Sequence, residues 1–192
     1  MNILNTEKAV KKLNSGLPII FHTDTVPAIG CLPNFSEVIY KTKKRERNKP
    51  LILMAAENHQ LKDLVHETAV EDYDDFSSKY WPGALTMIIP IAYKYKKFAT
   101  SSNLSLGLRI PNSLMARELI KKTGPLLTSS ANLSGSPSSS DAESISKDLP
   151  GVDILGPLPW QESSGKSSTI ISWVSYKKWE LVRKGEVVIP NL

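Results

Sequence analysis

The chain gathers its polar chemistry into a few short stretches. In PLLTSSANLSG, Pro125 to Gly135, two leucines run into Thr128, Ser129, Ser130, Asn132 and Ser134, with Pro137 just beyond. Small polar side chains of this kind make a poor core. They form either an ordinary Ser/Asn turn or a ring of hydroxyls, an amide and backbone N–H groups around a ligand. In KTKKRERNK, Lys41 to Lys49, six basic groups (Lys41, Lys43, Lys44, Arg45, Arg47, Lys49) face a single acid, Glu46. The whole chain carries a net charge of +5, and these nine residues account for all of it. Such a cluster attracts the phosphates of a nucleotide or of RNA, or else decorates the solvated C-terminal end of a helix. His22-Thr23-Asp24-Thr25 follows the apolar run Leu17 to Phe21 directly. Polar residues in that position mark the sheet end where α/β proteins hold ligands, or they cap and turn the chain. Arg109 sits in the alternating segment LSLGLRI, where it needs an anionic partner, either a ligand or a carboxylate of the chain.

The elements that carry these groups can be read from the apolar pattern. Short continuous runs at Leu17–Phe21, Leu51–Ala55 and Ala84–Ile91 suit strands buried on both faces, and Pro90 places the last of these at an edge or a strand end. Leu104–Ile110 is a further strand. Thr169–Val174 and Trp179–Arg183 form a hairpin across a Tyr-Lys-Lys turn. Helices are expected from Asn5 or Thr6 to Asn14, from Asn34 to Lys44, over Glu57–Val65 and Glu67–Tyr80, from Asn112 to Thr123, and over Asp141–Leu149. Tyr93 to Thr100 is a basic, aromatic loop; the serine-rich segments 134–140 and 163–168 are loops as well. Interleaved strands and helices closed by a hairpin favour an open mixed α/β sheet over a bundle or sandwich.

Composition removes several function classes. One cysteine, Cys31, excludes an internal disulfide framework and a cysteine-based zinc cluster, and His22, His59 and His66 lack metal-ligand spacing. No apolar leader precedes the first helix, and the run from Ala84 to Ala92 is too short to span a bilayer. A cytoplasmic protein is expected, which leaves the N-x-S triplets at Asn34, Asn103 and Asn132 without meaning for glycosylation. Gly165-Lys166-Ser167 imitates the end of a P-loop, but Trp160 occupies the place of its first glycine and no helix pattern follows. No G-x-S-x-G elbow supports a serine hydrolase.

Several blocks then coincide in order: TDTVPAIG at 23–30, KKRERNKPL at 43–51, WPGALT at 81–86, LGLRIP at 106–111, TSSANLSG at 128–135, SSTII at 167–171 and LVRKG at 181–185. Together they resemble the threonylcarbamoyl-AMP synthase family, the YrdC-like domain, over nearly the whole chain. Its signature is the pair Lys-x-Arg and Ser-x-Asn, here Lys43 with Arg45 and Ser130 with Asn132. Members of the family condense L-threonine, bicarbonate and ATP into threonylcarbamoyl-adenylate and pyrophosphate, for threonylcarbamoyl modification of an adenosine in tRNA.

The resemblance implies a single domain over 1–192, an open twisted mixed sheet with flanking helices and a basic concave cavity, in the short form without a further C-terminal domain. It implies that Thr25, Arg109, Thr128 and Ser168 hold threonine, Arg109 by its carboxylate. It assigns Arg45, Lys49, Ser105, Ser130, Ser138 and Arg183 to ATP, and Lys43, Arg45, Ser130 and Asn132 to catalysis. Mg²⁺ is expected with ATP and not in a dedicated site; tRNA is a partner directly or through a transferase complex. Where the family has Tyr-Gly this chain has Pro27-Ala28; its histidine after the KPL strand is Met54 here, and its glycine between Lys and Arg is Lys44.

The chemistry matches the residue types. A threonine carbamate attacks the α-phosphate and pyrophosphate leaves, so fixed cations and oriented donors matter more than nucleophilic side chains. Two other functions remain open. One is RNA binding without nucleotide turnover, through the basic run and Tyr93 and Tyr95 beside Lys94, Lys96 and Lys97. The other is carbamoyl transfer to a different acceptor, as in larger maturation enzymes with a similar domain, whose acylphosphatase and zinc-finger modules have no counterpart here.

Overall fold

In the computed structural model the described residues are 2–99 and 104–192. Thr100, at the end of the basic aromatic stretch, and Asn103 lie outside them. The strands are β1 (Ile3–Leu4), β2 (Ile19–Phe21), β3 (Ala28–Cys31), β4 (Ile52–Met54), β5 (Leu85–Pro90), β6 (Ser105–Arg109), β7 (Leu126–Ser130), β8 (Asp153–Leu155), β9 (Thr169–Ser175) and β10 (Lys178–Arg183). They form one open, ten-stranded sheet in the order β1-β8-β2-β3-β7-β4-β6-β5-β9-β10. The pairs β1/β8, β8/β2, β4/β6 and β5/β9 are parallel. The remaining neighbours are antiparallel.

Continuous apolar runs produce this sheet because both faces are covered. Successive side chains point to opposite faces. Ile19 and Phe21 therefore join a cluster with Leu13 of α1 (Thr6–Asn14) and with Ala116, Leu119 and Ile120 of α5 (Leu114–Thr123). Ile20, between them, joins the cluster on the other face with Ile39, Leu53, Leu61, Tyr73 and Leu127. Each fully buried Leu, Ile or Phe side chain among them contributes about 1.5–3 kcal/mol relative to exposure. Pro90 ends β5, which lies inside the sheet between β6 and β9; it is a strand end, not an edge.

Several boundaries differ from the sequence expectation. β1, β3 and β8 were not anticipated. Two of them are only two and three residues long, too short to show a period, and β3 follows directly on a polar loop. Gly30 in β3 is required, because a Cβ there would stand 2.8 Å from the Phe21 ring. The helix expected from Asn34 starts instead with a 3₁₀ turn at Pro33–Phe35, and α2 covers Glu37–Lys43. Only a single turn, α3 (His59–Lys62), forms within 57–65. There the Gln60 side chain accepts hydrogen bonds from Ala56 N and Glu57 N at 2.8 and 3.1 Å and holds the chain ahead of it in a turn. Ser113, not Asn112, caps α5 by accepting from Ala116 N. Asn5 caps α1 and Asp141 caps α6 (Ala142–Asp148). Between them, α4 (Val70–Tyr80) is tied to the β9–β10 hairpin by Asp72, which accepts from Trp173 Nε1 at 2.7 Å and from Lys177 N at 2.9 Å. Among the described residues, no helix is long and apolar enough to cross a membrane.

The end of α2 bears directly on the site. Lys44 follows it in the left-handed conformation, φ 51°, and this turn aims the chain into Arg45. Left-handed backbone is the place for glycine, which explains the residue the family carries there. Lys44 is exposed and makes no demand on its side chain. We expect Lys44→Gly to stabilise the protein by about 0.5–1 kcal/mol, measured by urea denaturation.

Candidate functional site

The site is built where α2 and β7 end together. Lys43, the last residue of α2, is 1% exposed. Its ammonium donates to the carbonyl oxygens of Ser130 and Asn132 and lies 3.5 Å from Asn132 Oδ1. The Asn132 amide in turn donates to the carbonyls of Leu133 and Ser136, and Ser134 N donates to Lys43 O at 3.1 Å. Two segments nearly ninety residues apart are thus clamped around one buried charge. Of the first signature pair, Lys43 meets Ser130 and Asn132 of the second, and Arg45 is close enough to Lys43 to lower its pKa. The manner differs: Lys43 is spent on carbonyl groups of its own chain, so it shapes the Ser130–Asn132 turn, while Arg45 stands closer to solvent. Arg45 Nε donates to Lys49 O at 3.0 Å and Nη2 to Pro50 O at 3.1 Å. Burial lowers the pKa of Lys43 to about 8, with Arg45 adding to the effect; burial also lowers that of Arg45.

A second cluster centres on Arg109 at the end of β6, which is 3% exposed. Its guanidinium donates from Nε to Gly83 O at 3.1 Å, from Nη1 to Thr25 Oγ1 at 2.9 Å and from Nη2 to Asp24 Oδ1 at 2.7 Å. The anionic partner that a buried arginine requires is therefore Asp24, a residue the sequence placed in a ligand-holding or turn-forming stretch without naming it as that partner. Burial pulls Arg109 below its ordinary pKa, and Asp24 opposes this. Thr23 Oγ1 lies 3.1 Å from Thr25 Oγ1 and donates to Val26 O, so the loop 22–27 is held from within. Ser168 Oγ bonds Thr86 Oγ1 at 2.9 Å, and Arg183 reaches the same serine, with Nη2 2.8 Å from its carbonyl. Arg183 is near enough to Arg109 to depress its pKa.

The two clusters are joined by backbone. Ala28 pairs with Ser130 across β3 and β7, and Ala131 N donates to Pro27 O at 2.8 Å. Over the loop 22–27 runs the segment 160–168. His22 lies 6.0 Å from the Trp160 ring, Ser164 N donates to Asp24 O and Gly165 N to Thr25 O, each at 3.2 Å. The serine-rich loop 163–168 is thereby fastened to the Arg109 cluster, and the false P-loop lysine, Lys166, is in irregular chain leading to a strand.

The remaining sequence candidates are less tightly gathered. Thr128 is buried with its hydroxyl donated to Ile52 O at 2.9 Å, so it braces β7 against β4. Ser105 begins β6 and is half-buried, Ser138 is exposed, and Lys49 is exposed 3.7 Å from Glu46. Met54 is buried in the α1/α5 cluster. The basic aromatic stretch is a 3₁₀ turn, Tyr93–Phe98. There Tyr95 and Phe98 pack on the core, and the exposed Tyr93 ring is covered by Lys96 Nζ at 4.6 Å.

In this open mixed α/β sheet, buried Lys43 and Arg109 are each held by oxygen atoms of distant segments. A family model, Sua5/YciO/YrdC, described as telomere recombination, matches residues 11–185. A threonylcarbamoyl-AMP synthase of Buchnera aphidicola is 30% identical over 181 residues, 90% of this chain and 96% of that protein. Another, from Bacillus subtilis, is 35% identical over 153 residues, 75% of this chain but 43% of that longer protein. The solved structure of P. abyssi Sua5 with L-threonine is similar at a TM-score of 0.83 and 27% identity, covering 94% of this chain and 54% of that one. E. coli YciO shares the fold at a TM-score of 0.77 and 24% identity, covering 94% of this chain and 88% of that one. The chain belongs to the Sua5/YciO/YrdC family.

Lys43 has a stability signature. Its pKa is about 8 against an ordinary 10.5. Between those values the folded chain binds fewer protons than the unfolded one, so stability rises with pH across the window. Urea denaturation at pH 7.5 and pH 10 should show this rise in the wild-type protein. It should be absent, on a less stable background, in Lys43→Met.

Proposed function

We propose that this chain is a threonylcarbamoyl-AMP synthase, a nucleotidyltransferase that forms threonylcarbamoyl-adenylate and pyrophosphate from L-threonine, bicarbonate and MgATP. The observation that carries this reading is the clamp of buried Lys43 on the Ser130–Asn132 turn, with Arg45 close enough to lower its pKa. It is supported by relatives of that name which the chain covers almost end to end.

The chemistry joins two anions and expels a more highly charged one. Threonine's free amine combines with the CO₂ of bicarbonate to give a carbamate, the amine proton leaving with hydroxide as water, and a carbamate oxygen attacks the α-phosphorus of ATP. The bond from that phosphorus to the bridging oxygen breaks, and pyrophosphate leaves with the electron pair. Preorganised donors and fixed charges accelerate such a step without reorganising as it proceeds. Lys43 holds the Ser130–Asn132 turn in one shape, so hydroxyl and N–H donors stand ready for phosphate oxygens. Arg45, with Nη1 uncommitted among the described residues, is the guanidinium that meets the phosphates. Arg109, with Thr25 and Ser168 around it, receives the threonine. Mg²⁺ enters as part of the nucleotide substrate: among the described residues no three His, Cys, Asp or Glu side chains converge as a cage, and magnesium is commonly held by phosphates and water. The product supplies threonylcarbamoyl modification of tRNA in the cytoplasm, and tRNA is engaged directly or through a transferase complex.

Pyrophosphate release from ATP should depend on both L-threonine and bicarbonate; release indifferent to threonine overturns the assignment. Arg45→Ala and Asn132→Ala should each lower that rate about 100-fold or more, measured at equal folded fraction by circular dichroism. Wild-type rates in either variant would remove those residues from the site.

A further inference from the structure

Asp24 has been given only the task of pairing with Arg109. We propose that it is also the recognition group for the ammonium of the amino-acid substrate, a role that rests on the threonine-using reading above. Arg109 is pinned through Nε, Nη1 and Nη2, so its plane is fixed. A guanidinium carries two N–H groups on each terminal nitrogen, so one on Nη1 and one on Nη2 stay available to a substrate carboxylate. Asp24 is just as firmly placed. Oδ1 accepts from Arg109 at 2.7 Å, and its backbone carbonyl accepts from Ser164 N. Among the described residues Oδ2 accepts no hydrogen bond, and the side chain is 14% exposed against 3% for Arg109. Among the described residues that oxygen is thus without a donor, on a side chain more exposed than the arginine it pairs with.

Electrostatics makes the same assignment. An α-amino acid presents its carboxylate and ammonium on adjacent atoms. A neighbourhood of Arg109 and Arg183 attracts the first and repels the second. Asp24 is the carboxylate paired with Arg109, so it supplies a negative charge beside the place where the ammonium must lie. Arg109 and Asp24 side by side therefore read both charges of a zwitterion. A carboxylic acid without the amine meets Asp24 as a repelling charge.

Calorimetric titrations with L-threonine and with 3-hydroxybutyrate, which is threonine without its amine, test this. Wild-type protein should bind L-threonine at least about 10-fold more tightly than 3-hydroxybutyrate. Asp24→Asn keeps an oxygen for Arg109 and removes the charge. It should weaken L-threonine at least about 10-fold and leave 3-hydroxybutyrate within about twofold, or tighten it. Equal losses for both ligands would show that Asp24 only holds Arg109, and would overturn the proposal; so would an unchanged threonine affinity. If Asp24→Asn does not fold, the wild-type comparison decides, because equal affinities there defeat the proposal. Wild-type protein that binds no L-threonine at all overturns the functional reading and this inference with it.

Discussion

A buried cation must be solvated by the protein in place of water, and the described residues contain two. Lys43 is surrounded by carbonyl oxygens and Arg109 by a carbonyl, a hydroxyl and the Asp24 carboxylate. Leaving either charge without those partners would cost several kcal/mol. Each therefore dictates the path of the chain around it. The Ser130–Asn132 turn takes the shape that offers oxygens to Lys43, and the loop 22–27 folds inward to deliver Asp24 and Thr25 to Arg109.

The rest of the fold serves these two demands. The sheet brings β3 against β7, so the Thr25 loop and the Ser-x-Asn turn share a boundary at Pro27 and Ala131. Helix α2 packs on β3 through Ile39 and Tyr40 and ends in a left-handed residue, which delivers Lys43 inward and Arg45 outward. β9 and β10 close the far side: Ser168 enters the Arg109 cluster from the start of one, Arg183 from the end of the other. A site assembled this way is preorganised by its own charges before any substrate arrives, which suits a reaction whose difficulty is bringing anions together.

The two cations also differ in how their charge is met. Lys43 has dipoles but no carboxylate, so burial leaves it with a depressed pKa and its ammonium costs stability at neutral pH. Arg109 has a full countercharge, which opposes the same burial effect. The first arrangement keeps net positive charge near the expected phosphates. The second balances a buried guanidinium with a carboxylate of the same chain.

By itself the amino-acid sequence determined the sheet class, the buried central strands, most helices and the identity of the polar blocks. Those are written in local terms: apolar runs, caps, glycines and contiguous motifs. The sequence also announced that Arg109 needs an anion. It could not say that the anion is Asp24, because an ion pair spanning eighty-five positions has no local pattern. Nor could it reveal that Lys43 faces carbonyls instead of solvent, since a basic run looks the same whichever member turns inward. The short strands β1, β3 and β8 were equally hidden, for they exist through pairing with distant neighbours and carry too few residues for a period. Tertiary structure decided all of these, because burial forces a charge or a strand to find its partners wherever the folded chain places them.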